Sequence, residues 1–201
     1  MTRRFSLASL ALGTAVLASA ASAQTQTVCY TASIPLTNTN WSNSISVPKF
    51  DSALGTLQSI NFTLGGNIQG QAKVESLDTS PTNVNLNFSA TLTLTRPDLS
   101  VIVVTVPLAN FNDSLTSFDG TIDFGGTSGV THPGINVSAS NNAISPPPAS
   151  DLILFSGPPG SPGTINLPVT AVGSSTATGS GNIITQFTTA AAADVQVCYT
   201  Y

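Results

Sequence analysis

Charge is what this sequence has least of. Five of its 201 residues are Lys or Arg and nine are Asp or Glu. Charged residues make up 7% of the chain, against roughly 25% in ordinary soluble domains. A chain with so few cations cannot neutralise a row of phosphates, so nucleic acid is not an expected partner. Histidine and glutamate occur once each, as His132 and Glu75, and cysteine twice. A zinc site built from a His/Cys cluster is therefore excluded. No segment after the first two dozen residues carries a helical period. The best helix formers, Ala190 to Ala193, are too few to hold a helix. Disorder is not expected either, because 41% of the residues are hydrophobic and the low charge gives little self-repulsion.

The one long apolar run is at the start, in "MTRRFSLASLALGTAVLASAASAQ". Arg3 and Arg4 form a charged head, Phe5 to Ala18 an apolar stretch, and Ala21-Ser22-Ala23 a small-x-small processing site. This predicts a cleavable signal peptide over 1–23 and one domain over 24–201. An N-terminal membrane anchor is disfavoured, since the run is short and ends in that site. After cleavage three basic residues (Lys49, Lys73 and Arg96) face nine acidic ones, and no integral membrane contact is expected.

What remains is period-two alternation. In "VNLNFSATLTLTR" the residues Val84, Leu86, Phe88, Ala90, Leu92 and Leu94 share one face, and Asn85, Asn87, Ser89, Thr91 and Thr93 the other. That pattern buries one side of a strand and wets its opposite. Ile60, Phe62 and Leu64 repeat it, Gly65-Gly66 reads as a bulge or turn, and Ile68, Ala72 and Val74 resume it. "VIVVTV" (101–106) reads as a fully buried strand. Pro146 to Pro148 and "GPPGSPG" (157–163) read as loops. Many short strands joined by Gly/Pro turns predict an all-β, antiparallel sandwich of about ten strands, with a jelly roll as one form of it.

The tetrapeptide "VCYT" opens and closes the mature chain, at 28–31 and 197–200. Alternation places Cys29 with Thr27 and Thr31, and Cys198 with Gln196 and Thr200, so each cysteine lies on the more polar face of its strand. Two neighbouring strands stapled on their outer faces would show this, because a facing antiparallel pair outside the hydrogen-bonded positions brings Cβ atoms within bridging distance. The first and last strands are thus expected to be adjacent and joined by a Cys29–Cys198 disulfide, as suits an exported chain. Closing so long a loop contributes roughly 5 kcal/mol in the chain-entropy relation.

Catalytic chemistry is hard to find. His132, in "VTHPG", reads as a solvated turn residue, and no nucleophile motif accompanies it. Glu75 reads as an outward strand-end residue beside Lys73. Gly125-Gly126 has no Lys or helix start after it, so it is no phosphate loop. The strongest polar cluster is "SFDGTIDFGGTSG" (117–129). Asp119 and Asp123 there have two readings, calcium ligands at a tight bend or ordinary turn formers. Trp41, the only tryptophan, is either a core plug or a platform for a sugar ring. Sequons occur at Asn40, Asn61, Asn87, Asn112 and Asn136, as a chain rich in Asn, Ser and Thr produces by chance.

Three stretches carry a resemblance: "NWSNSISVPKFDSALGTL" (40–57), "FDGTIDFGGTSG" (118–129) and "LPVTAVGSSTATGSGNIITQFTTAAAADVQVCYTY" (167–201). Taken in order, they resemble the bacterial choice-of-anchor E domains. The resemblance implies an exported extracellular domain with no assigned enzymatic activity, usually followed by a C-terminal sorting signal. Here no such signal follows Tyr201, so the expectation is a domain secreted, held non-covalently at the cell surface, or periplasmic. Three functional readings follow. The first is a non-enzymatic cell-surface or matrix domain of structural or adhesive type, whose partner is envelope or matrix polysaccharide or another copy of itself. The second is a carbohydrate-binding module using Trp41. The third and most remote is a secreted hydrolase. No cofactor is expected beyond calcium at Asp119 and Asp123.

Overall fold

The structure, a computed structural model, describes residues 25–201; the expected signal peptide over 1–23 lies outside the described residues. The strands are β1 (Thr27–Asn38), β2 (Trp41–Pro48), β3 (Phe50–Asp51), β4 (Ser59–Ser76), β5 (Thr82–Thr95), β6 (Val101–Thr105), β7 (Leu108–Leu115), β8 (Gly129–Ser145), β9 (Ser156–Gly157), β10 (Thr164–Gly173), β11 (Thr176–Gly179) and β12 (Ile183–Thr200). A five-residue helix, α1 (Ser150–Leu154), precedes β9. Setting aside the two-residue strands β3 and β9, ten strands build an antiparallel β-sandwich, as the alternation predicts.

One sheet has the order β1-β12-β4-β8. In the other, β5 is flanked on one edge by β6 and β7 and on the other by β10 and β11, and β2 pairs with β10. The inner faces are those read from the sequence. Val84, Leu86, Phe88, Ala90, Leu92 and Leu94 of β5 are fully buried, against Ile60, Phe62, Leu64 and Ile68 of β4. Removing this apolar surface from water is the main force holding the sheets together.

Four side-chain bonds tie one sheet to the other along both seams. Trp41 Nε1 donates to the Ala191 carbonyl at 3.1 Å, and the Tyr199 hydroxyl to the Pro48 carbonyl at 2.9 Å. On the opposite seam Asn141 Nδ2 donates to the Val104 carbonyl at 2.9 Å, and His132 Nε2 meets Asp113 Oδ2 at 2.9 Å.

The first and last strands are adjacent, and Cys29 lies directly opposite Cys198. Gln26 and Tyr201 exchange both backbone bonds, which makes theirs a hydrogen-bonded pair. Three steps further along the alternating ladder, Cys29 and Cys198 occupy a non-hydrogen-bonded position, with Cα atoms 4.0 Å apart and a disulfide between them. Both are on the outer face: Cys29 is exposed and Cys198 half-buried.

Several local expectations are corrected. Gly65-Gly66 makes neither turn nor bulge; it lies inside the unbroken 18-residue strand β4. A Cβ on Gly66 would stand 3.0 to 3.1 Å from Leu92, Pro107 and Thr105, so this glycine marks a close approach of the two sheets. The irregularity comes later, at Gly70/Ala72 in the pairing with β8. "VIVVTV" is an edge segment, with Val101 56% and Val106 47% exposed, because β6 covers one end of β5 and has only side-chain neighbours beyond it.

Candidate functional site

Each residue singled out from the sequence now has a place. Trp41 faces inward on β2, half-buried against the core, with its N–H held by the opposite sheet. It is an inter-sheet wedge, and the sugar-platform reading loses its exposed ring.

The 117–129 loop folds over the end of β4. Asp119 Oδ1 accepts from the Thr121 N–H at 3.0 Å, and Asp123 Oδ1 from the Gly125 N–H at 2.8 Å, so each carboxylate closes its own turn. No group of three or more His, Cys, Asp or Glu side chains is placed to hold a metal ion among the described residues. Glu75 keeps the outward parity of its strand, yet it is fully buried, because this loop covers it. Its carboxylate accepts from the Phe124 N–H and the Ser128 hydroxyl, both at 2.6 Å. Lys73 stands 5.7 Å above the Phe124 ring on the same loop. The expected outward Glu75 is thus a buried pin that organises the loop.

His132 is corrected as well. It belongs to strand β8, stacks on Phe111 with ring centroids 4.0 Å apart, and bonds Asp113. The pair closes the β7–β8 seam.

Sequence reading missed the role of Asp151. The helix α1 directs it to Arg96, with Nε–Oδ1 and Nη2–Oδ2 distances both 2.7 Å. The Asp151 side chain is 1% exposed and that of Arg96 12%. Burial alone would push the Asp151 carboxyl up, but the Arg96 hydrogen bonds and charge outweigh it and hold the group below the ordinary range. The same bond raises Arg96. This bidentate pair anchors the segment after the Pro146–Pro148 run to the β5–β6 turn.

Eight of the nine carboxylates accept hydrogen bonds within the chain: Glu75, Asp51, Asp78, Asp98, Asp113, Asp119, Asp123 and Asp151. The ninth, Asp194 of β12, is exposed on the outer face of the four-stranded sheet. There it stands between two shallow clefts of about 350 and 290 Å³, which share Asp194 and Gly65 as walls. Thr31, Ser33, Thr63 and Gln196 line one, and Asn67, Ser138 and Ser140 the other. The floor is open because Gly65, opposite Asp194, has no side chain. Alternation from Cys198 already puts Asp194 on this face; nothing in the sequence marks Gly65 as its partner across the ladder. The clefts offer hydroxyls, amides and one carboxylate. Glycoside cleavage by paired carboxylates needs a second such group, and the cleft lining contains none.

No protein-family model matches the chain, and no curated protein matches it in sequence. Among solved structures, the VP2 subviral particle of infectious bursal disease virus is similar at 12% identity and a TM-score of 0.26, over 88% of this chain and 36% of that one. A structure of the Gx strain of the same virus gives 11% identity and a TM-score of 0.21, over 88% and 37%. The chain therefore spans little more than a third of the length of the structures it matches.

Proposed function

We propose that this protein is an exported, non-enzymatic domain of the cell surface or extracellular matrix, of structural and adhesive type. One observation carries the reading. Eight of the nine side-chain carboxylates are bound up in loop, seam and anchor bonds, and the outer sheet faces are made mostly of hydroxyl and amide groups. The Glu75, Asp119 and Asp123 carboxylates accept hydrogen bonds at 2.6 to 3.0 Å that hold the 117–129 loop together. The disulfide between the terminal strands supports placement in an oxidising compartment. No helix among the described residues is long and apolar enough to cross a membrane. The proposal extends to kinship with the choice-of-anchor E domains, on the three segments quoted above.

A carbohydrate-binding module is the second reading, favoured by the shallow polar clefts beside Asp194. The test of the main proposal is a pull-down of residues 24–201 on envelope and matrix material from the producing cells. Saturable retention without turnover of the material is the expected result. Absence of retention, or release of soluble sugars or peptides, would overturn it.

A further inference from the structure

The outer face of the six-stranded sheet carries no charged side chain. Along β5, β7, β10, β11 and β2 the outward positions are Asn, Ser, Thr and Pro, with two exposed aliphatic residues, Leu108 and Val172, and β6 adds Ile102 and Val104 at one edge. Within it, three adjacent strands bring four asparagines into register. Asn85 faces Asn112 on one side and Thr178 on the other. One row along, Asn87 faces Asn110 and Thr176. Rows in a sheet recur about every 7 Å along the strand, and neighbouring strands lie about 4.8 Å apart. Three of these amides, Asn85, Asn110 and Asn112, are exposed and make no side-chain hydrogen bond among the described residues, while Asn87 Nδ2 donates to Thr176 Oγ1 at 3.3 Å. By contrast, the amides Asn67, Gln69 and Asn136 on the opposite sheet bond one another or a serine.

We propose that this face is a binding surface for a neutral polysaccharide. The inference rests on the adhesive reading above and names the ligand class and the face. Charge selects the ligand: a surface without ions gives no attraction to an anionic or cationic polymer and places no desolvated charge against a neutral one. Hydrogen-bonding capacity selects it further. A free Asn amide offers two donors and an acceptor oxygen, which match the paired donor and acceptor roles of neighbouring sugar hydroxyls. Leu108 opposite Ser89 adjoins the array, Val172 opposite Thr91 lies one row beyond it, and both can cover the C–H face of a sugar ring. The face is an open sheet surface, so it suits a long or particulate chain.

The experiment measures retention of the disulfide-intact protein on insoluble β-1,4-glucan, β-1,3-glucan and α-mannan, with polygalacturonate gel as the acidic control. The variants are Asn85→Ala/Asn112→Ala, both exposed and free of side-chain bonds, and Asp194→Asn in the opposite clefts. The expected result is saturable binding to at least one neutral polymer, unaffected by salt, and weakened roughly tenfold by the asparagine pair alone, as loss of two or three hydrogen bonds implies. The proposal is overturned by no retention on any neutral polymer, by equal retention of the asparagine variant, or by loss through Asp194→Asn instead. Retention that tracks self-association in sedimentation also overturns it, in favour of a second copy of the chain. Retention of the asparagine variant on the producing cells' envelope separates the two ideas. If it persists there, the adhesive reading stands and this face is not its site; if the parent protein is not retained there at all, the adhesive reading fails.

Discussion

Removing the Cys29–Cys198 bridge tests the link between sequence echo, topology and stability. The bond joins residues 169 apart, nearly the whole described chain. In the chain-entropy relation a loop of that length restricts the unfolded state by about 5 kcal/mol. The folded state changes little, because β12 keeps β4 along its other edge through 18 registered pairs and β1 keeps ten pairs with β12. Tyr30 and Tyr199 stay packed edge-on at 6.1 Å behind the bridge. The Cys29→Ser/Cys198→Ser protein should therefore fold and melt about 10–20 °C lower, taking 2–4 °C per kcal/mol for a domain of this size. The assay is a pair of thermal melts with a denaturant titration, supplemented by limited proteolysis under native conditions. A drop of only a degree or two would refute the entropic reasoning. Cleavage within β1 of the variant would show instead that the bridge holds the edge strand down in the folded state.

Other perturbations follow from single contacts. Asp151→Asn leaves the mostly buried Arg96 without its carboxylate and should cost about 3 kcal/mol, at the low end for a broken buried pair because Arg96 still donates to the Val101 carbonyl. Because the folded pKa of Asp151 is depressed, its contribution is present above the ordinary carboxylate value near 4 and is lost as pH falls through the folded value. Acid titration of stability should accordingly be flatter in Asp151→Asn than in the parent. Gly70→Ala would drive a Cβ into the Thr188 carbonyl and should cost about 3 kcal/mol in a urea titration, while exposed Gly134→Ala meets no neighbour and carries only the positive-φ cost of about 1 kcal/mol. Tyr199→Phe removes the bond to the Pro48 carbonyl, with an expected loss of about 1 kcal/mol, and it removes the phenol that burial pushes above the ordinary tyrosine range in an alkaline titration.

The parts legible in the sequence are those where one residue's neighbours along the chain decide its fate. Alternation in β5 placed Val84 to Leu94 inward and Asn85 and Asn87 outward, and the same rule set both cysteines on an outer face. It failed where a distant segment decides. Glu75 has outward parity, but the 117–129 loop lies over it. Gly65-Gly66 has the look of a break because what crowds Gly66 is on β5 and the β6–β7 turn, far away in sequence. His132-Pro133-Gly134 reads as a turn, while the structure absorbs it as an irregularity in β8 facing Gly70. Asp151 hid behind a proline run, and its partner Arg96 lies 55 residues earlier. The candidate site was less legible still. Neither the clefts beside Asp194 nor the asparagine rows exist until β12 meets β4 and β5 meets β7.

The central proposal is that this domain adheres through an uncharged hydrogen-bonding face, without chemistry. Its most direct test is a binding isotherm of residues 24–201, disulfide intact, on the producing cells' envelope and matrix, taken at low and at high salt. The account predicts saturable retention with the same affinity at both salts and intact material afterwards. Binding that vanishes at high salt, or material degraded during the assay, would contradict it.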